Sequence, residues 1–274
     1  MKPLISVILP TVNGSRYIRN AIESVKEQSY ANWEFLVIDD GSTDATPSVV
    51  AQLAAQDPRI KYLKNDHNLG IQKALNRGLE EAKGEWIARI DDDDEWSDSH
   101  KLEKQIELSK RNDKCVLIGT GVTVVDANGR ELFRYRNPET DAQIRGVILR
   151  KNCFAHSTVL FKRDVAMKVG GYPEDADTKH VEDYDLWLRM GQHGTMANLQ
   201  TYSIKFMLSE QSISGRYKGI QIQRFLALTK KYGNVYPNYF GALVINHIRI
   251  VGFKLMQIMP VWLTRTLFKI YKKI

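Results

Sequence analysis

Between Leu4 and Arg111 the chain repeats one pattern four times: an apolar run, then a stretch with apolar residues three and four apart. The runs are LISVILP (Leu4–Pro10), EFLVIDD (Glu34–Asp40), RIKYLKN and EWIARIDDDD. Runs that are apolar throughout, not alternately, belong to strands buried on both faces. The intervening stretches read as helices. SRYIRNAIESVKEQ places Ile18, Ala21, Ile22 and Val25 on one stripe. TPSVVAQLAAQ has Pro47 in its first turn. IQKALNRGLEEAKG is expected to end at Gly84, and HKLEKQIELSKR follows. This alternation predicts an α/β fold with a parallel sheet covered on both faces. Such sheets bind ligands at the carboxyl ends of their strands. There the chain gathers its polar residues: PTVNG, DDGSTD and DDDD.

The second half is less regular. CVLIGTGVTVVDANGRELFRYR predicts two strands joined at Asn128–Gly129. DAQIRGVILRKN reads as a helix, HSTVLFKRDV as a strand running into a short helix, and GGYPEDADTKH as a polar, mobile loop. VEDYDLWLRMGQHG reads as a helix with a carboxylate-rich start. Two cysteines, Cys115 and Cys153, exclude a disulfide framework and a cysteine zinc site. The N-terminal apolar run breaks at Pro10 and reads as a strand, not a signal peptide, so a reducing cytoplasmic location is expected.

The four aspartates Asp91–Asp94 need an account. At an effective dielectric of about 20, two unit charges about 4 Å apart repel by roughly 4 kcal/mol. Alternate residues of a strand share a face, so Asp91 and Asp93 would point together and share a hard divalent cation, Mg²⁺ or Mn²⁺. The alternative is an acidic turn solvated by water. Asp40 suits a nucleoside, as an acceptor for the base edge or ribose. Asp44 and Ser42 read as caps of the following helix. No G-x-G-x-x-G follows the first strand, which argues against a dinucleotide enzyme.

VILPTVNG, VIDDGSTD, NLGIQKALNRGLEEAKGEWIARIDDDD and GGYPEDADTKHVEDYDLWLRM together resemble, in order and spacing, the motifs of family 2 glycosyltransferases. The resemblance spans residues 4–214 and is greatest to bacterial enzymes that build surface polysaccharides. It implies the GT-A fold: a Rossmann-like, mostly parallel sheet with helices on both faces. It implies an inverting, metal-dependent transfer from a nucleotide sugar, with UDP the expected nucleotide, to a glycan or lipid-linked saccharide. Pro10, Thr11, Asn13, Asp40, Asp91 and Asp92 would line the nucleotide pocket. Asp93 and Asp91 would hold Mn²⁺ or Mg²⁺, with Asp94 an alternative to Asp93. Asp183 would be the general base, Glu182 an acceptor contact, and His156 either an active-site residue or a structural one. Two departures stand out. The family's Arg and His late in the catalytic region are replaced by Met207 and Ser209, leaving Arg216 or Lys218 to meet the diphosphate. The Arg of its ARN motif is Leu75, leaving Arg89 or Lys73.

The formal charge of +7 is unevenly placed. Residues 211–274 hold eleven Lys and Arg and no acid, so the remaining 28 basic and 32 acidic residues give a body of net −4. The expected organisation is a catalytic domain over 1–215, with a nucleotide half to about 97 and an acceptor half from about 98. A basic amphipathic segment follows over 216–274. Val244, Ile248, Val251, Leu255 and Met259 fall on one helical face; beyond Pro260, Leu263, Leu267, Ile270 and Ile274 do the same. The segment reads as an in-plane anchor on the anionic inner surface of the cell membrane, or as a helix packed on the body. No nucleic-acid motif accompanies the charge. The rival functions are a sugar-phosphate nucleotidyltransferase, disfavoured by the missing Gly-rich loop, and a non-catalytic sugar-nucleotide or membrane scaffold.

Overall fold

The structure, a computed structural model, describes residues 2–208 and 217–258. The first half follows the expected order: β1 (Ile5–Thr11), α1 (Ile18–Lys26), β2 (Trp33–Asp39), α2 (Thr46–Ala54), β3 (Ile60–Lys64), α3 (Ile71–Glu81), β4 (Trp86–Arg89), β5 (Glu95–Trp96) and α4 (Lys101–Lys110). Then come β6 (Cys115–Val125), β7 (Glu131–Tyr135), α5 (Asp141–Val147), β8 (Leu160–Lys162), α6 (Arg163–Lys168), α7 (Glu182–Met190) and β9 (Thr195–Met207). Two longer helices close the described chain, α8 (Lys218–Lys231) and α9 (Tyr239–Ile258).

Among the described residues the sheet runs β3-β2-β1-β4-β8-β6-β9-β5, with β7 paired to β6. β3, β2, β1 and β4 are parallel. Beyond β4 the sheet is mixed: β8 is antiparallel to β4 and β6, while β6 and β9 are parallel. Both faces of the parallel half are covered. Ile5, Val7 and Leu9 of β1 enter one core cluster, and Ile8 enters the other. Period-two burial on both sides is why these strands read as unbroken apolar runs.

Three expectations change. Gly84 does not end α3. That helix stops at Glu81, with Ala82 already extended, and Gly84 instead lets the chain pass against the β1 backbone at Ser6. The loop after Gly170 is pinned: Gln72 donates to the Pro173 carbonyl (2.5 Å) and Arg224 to the Ala176 carbonyl (2.6 Å). Strand β9, thirteen residues long, has no counterpart in the sequence reading.

Residues 217–258 share the body's core. Leu228, Tyr232, Tyr236 and Ala242 lie in the cluster that contains Trp187 and Leu186. Buried Asp185 receives Lys231 (2.9 Å) and the Tyr232 hydroxyl (2.8 Å). Helix α9 packs on the body through one face and leaves the other exposed. Ala242 and Asn246 face the body, whereas Val244, Ile248, Val251 and Leu255 are exposed. Among the described residues no helix is long and apolar enough to cross a membrane. The expectations for Met259 onward, and for Ser209 and Arg216, lie outside the described residues.

Candidate active site

Three loops meet at the carboxyl end of the parallel strands. At the end of β1, Pro10 sits in register with Ile38. Thr11 donates its hydroxyl to Asp92, and its carbonyl accepts the Asp40 amide (2.8 Å). Gly14 makes the Thr11–Asp92 contact possible, because a Cβ there would fall on both side chains. Asn13, at φ 56°, joins the loops after β1 and β2: its side-chain Oδ1 accepts the Thr43 amide and its backbone amide donates to the Ser42 hydroxyl, both at 2.9 Å. Ser42 is thereby a link between loops and not a helix cap. Asp44 is not the N-cap either: Ala45 holds that position, and Asp44, one residue earlier, accepts the Thr46 amide at 2.9 Å. Asp40 is buried and accepts from Asn65 (2.7 Å) and the amides of Leu69 (2.9 Å) and Gly70 (2.8 Å). It therefore fixes the 65–70 loop at the carboxyl end of β2.

The aspartate run is a turn, not a strand. β4 stops at Arg89, and the Asp94 amide folds back to the Asp91 carbonyl (3.2 Å), so the strand alternation expected for Asp91 and Asp93 does not apply. The four carboxylates take four environments. Asp91 forms an ion pair with Arg89 and accepts from Ser157 (3.2 Å). Asp92 receives Thr11, yet burial lifts its pKa to about 6. Asp93 has no side-chain donor among the described residues. Burial, then Asp91 and Asp92, push it up to about 7. Asp94 is 2% exposed and accepts the Met207 amide (3.1 Å), tying the turn to β9. Its burial also raises its pKa. This position makes Asp94 a structural tie.

Arg89 is what the cluster is built on. Its side chain is 3% exposed, its Nε has no partner, and it lies among the aspartates and near Asp183. The repulsion of four adjacent carboxylates is offset first by this buried guanidinium. The sequence reading offered Arg89 as a replacement cation, but its pairing with Asp91 is made by the turn after β4 and not by strand alternation. Lys73 is exposed, and Leu75 is in the core.

Across a cavity of about 540 Å³ from Asp91 stands the second acidic pair, Glu182 and Asp183, at the N-terminus of α7. Asp183 accepts from Asn152 (2.9 Å), a partner the sequence did not announce. Burial raises Asp183 to about 6 and Glu182 to about 7, and Glu182 Oε2 is buried without a donor. A carboxylate poised near neutrality beside an open space suits proton removal. His156 also lines the cavity. Its Nε2 meets the Tyr172 hydroxyl (2.9 Å), and its ring lies 5.9 Å from that of Trp187. Burial drives its pKa well below the usual range, so it is a neutral, hydrogen-bonded wall residue. Lys218, Gln221 and Phe225 of α8 and Asn246 and Arg249 of α9 form the roof.

The donor set fits a hard divalent cation in one way only. Among the described residues no group of three or more His, Cys, Asp or Glu is arranged to hold an ion. Asp91, already paired with Arg89, and Asp93, without a side-chain donor among the described residues, are two carboxylates, the usual protein share of a Mg²⁺ or Mn²⁺ site completed by phosphate oxygens and water.

A family model described as Glycosyl transferase family 2 matches residues 6–170. The putative glycosyltransferase EpsE of Bacillus subtilis (strain 168) is 35% identical over 193 residues, covering 70% of this chain and 68% of EpsE. The Escherichia coli UDP-Glc:alpha-D-GlcNAc-diphosphoundecaprenol beta-1,3-glucosyltransferase WfgD is 34% identical over 224 residues, 80% of this chain and 83% of WfgD. The solved mannosyltransferase PcManGT from Pyrobaculum calidifontis, in complex with GDP-Man and Mn²⁺, shares the fold with a TM-score of 0.68 at 19% identity, covering 91% of this chain and 70% of its own.

Proposed function

The chain belongs to glycosyltransferase family 2, and on that premise we propose that it moves a sugar from a UDP-sugar to a glycan or lipid-linked saccharide hydroxyl, with inversion, in polysaccharide biosynthesis. The observation that carries the reading is the pairing of two acidic groups across one cavity: Asp91 of the aspartate turn and the Glu182–Asp183 pair. The first serves the donor and the second the acceptor. The activity of the Escherichia coli relative, on a UDP-sugar and a lipid-linked acceptor, supports both substrate classes.

In this reading Pro10, Thr11, Asn13, Asp40 and Asp92 frame the nucleoside, Asp40 by fixing the 65–70 loop against it. Asp93 and Asp91 would hold the divalent ion, which when bound would supply positive charge to the departing diphosphate. Arg89 holds Asp91 in place through their ion pair. Asp183 Oδ takes the proton of the acceptor hydroxyl while Asn152 fixes its orientation. The acceptor oxygen bonds to the anomeric carbon. The bond from that carbon to the diphosphate oxygen breaks, and its electron pair leaves with UDP. Attack opposite the leaving group inverts the anomeric centre. Glu182, beside the base, accepts a second acceptor hydroxyl. The reading includes association of residues 216–274 with an anionic membrane surface, supported by their eleven cations, the absence of acids and the exposed face of α9.

The test is UDP release from a panel of UDP-sugars with Mn²⁺, for the wild type and for Asp93→Asn. Release by the wild type that the variant loses, with melting unchanged, is expected. A wild type that releases nucleotide from no sugar nucleotide, or a variant as active as the wild type, would overturn the assignment.

A further inference from the structure

Building on the donor and base roles above, we propose that the cavity roofed by α8 and α9 is a subsite for an acceptor saccharide carried on a lipid phosphate, the phosphate being held by Lys151, Lys218 and Arg249. The cavity is graded in charge. Its interior holds Asp183 and the buried Glu182, whose Oε2 has no donor and suits a sugar hydroxyl. Its other wall carries the three exposed cations. Arg249 is held there by the Arg150 carbonyl and Asn246 Oδ1 (3.0 Å), which sets it beside Lys151. Lys218 opens α8, one turn before Gln221, which is fixed to the His180 carbonyl (3.0 Å) two residues from Glu182. A ligand that presents a hydroxyl inward and an anion outward matches this order. Lys and Arg are the natural partners of phosphate oxygens.

The same helix points to a lipid as the carrier. Asn246 and Arg249 of α9 line the cavity, while Phe240, Val244, Ile248, Val251 and Leu255 are 80%, 59%, 64%, 56% and 45% exposed. An apolar helical face of this length, in a segment with eleven cations and no acid, suits burial at an anionic bilayer surface. With that face in the bilayer, the cationic rim lies at headgroup level. A prenyl phosphate would then need no lifting from the membrane to bring its sugar to Asp183.

The experiment is calorimetry on the full chain. UDP is titrated first in Mn²⁺; the UDP-saturated protein is then titrated with farnesyl diphosphate, inorganic diphosphate or farnesol. Farnesyl diphosphate is expected to bind at least tenfold more tightly than either of the others. A Lys218→Ala, Arg249→Ala double variant is expected to lose at least tenfold, and Lys218→Arg with Arg249→Lys to retain binding. Four results would overturn the proposal: the alanine variant binding farnesyl diphosphate like the wild type, inorganic diphosphate binding equally well, farnesol binding equally well, or the alanine variant losing UDP affinity, which would assign Lys218 to the donor. A wild type that fails to bind UDP would instead remove the glycosyltransferase reading on which the proposal stands.

Discussion

Arg89→Met is expected to unsettle the active site through charge alone. The side chains of Arg89 and Asp91 are 3% and 34% exposed, and Asp94 beneath them is 2% exposed. Two unit charges about 4 Å apart attract by roughly 4 kcal/mol at an effective dielectric of about 20. Removing one partner of a buried pair typically costs about 3–5 kcal/mol. Water at the partly exposed Asp91 lowers that, so about 2–4 kcal/mol is expected at pH 8. For a chain of this size each kcal/mol moves Tm by about 2–4 °C, which gives a fall of roughly 4–16 °C. The sign of the pH dependence follows. Asp92 and Asp93 have folded pKa values near 6 and 7, above the ordinary 3.8. Their ionised forms cost stability, a cost absent below about pH 4 and complete above pH 7. Arg89 reduces that cost. The gap between wild type and variant should therefore be widest at pH 8 and narrow toward pH 5. Differential scanning calorimetry across that range reads both values, with Arg89→Lys as the charge-retaining control. A Tm unchanged at pH 8, or a gap that does not vary with pH, would refute the reasoning.

Asp183→Asn should slow transfer by about 10²–10⁴ with UDP affinity retained, and the wild-type rate should climb through about pH 6 as Asp183 ionises. Because that pKa is raised on folding, the variant should also melt higher than wild type at pH 8 and equally at pH 4; steady-state kinetics and thermal melts check the two halves. Gly14→Ala should push Thr11 from Asp92 and weaken UDP binding at least tenfold by calorimetry, with the fold retained by circular dichroism. Lys101 is fully buried over the Trp96 ring (3.9 Å), and burial lowers its pKa to about 7. Lys101→Met should raise Tm at pH 7, with a smaller gain near pH 10, where the unfolded lysine also begins to lose its proton.

The first half was legible because its information is local. Strands buried on both faces are continuous apolar runs, and loops after them are marked by Gly, Asn and Asp. The second half is written in long-range pairings. In β9, polar residues such as buried Asn198 and half-buried Gln200 alternate with apolar ones, and its partner β6 lies some eighty positions earlier. Nothing near Thr195 announces that pairing. The aspartate run was found, but strand alternation was carried past Arg89, where β4 ends. Asp183 was found from its motif context, whereas Asn152 belongs to a loop without periodicity and is joined to Asp183 only by the fold. Ala242 and Asn246 on the packed side of α9, with Tyr236 just before it, carry the helix onto the body, contacts with distant segments that the apolar stripe did not announce.

The central claim is that two acidic groups facing one cavity carry out a single displacement at an anomeric carbon. Proton NMR of the first-formed product tests it most directly, using the UDP-sugar that the panel identifies, Mn²⁺ and a prenyl-diphosphate-linked saccharide. The account predicts an α-linked donor giving a β-linked product, formed in step with UDP and lost in Asp183→Asn. A product that keeps the donor's anomeric configuration, or full transfer by Asp183→Asn, would contradict it.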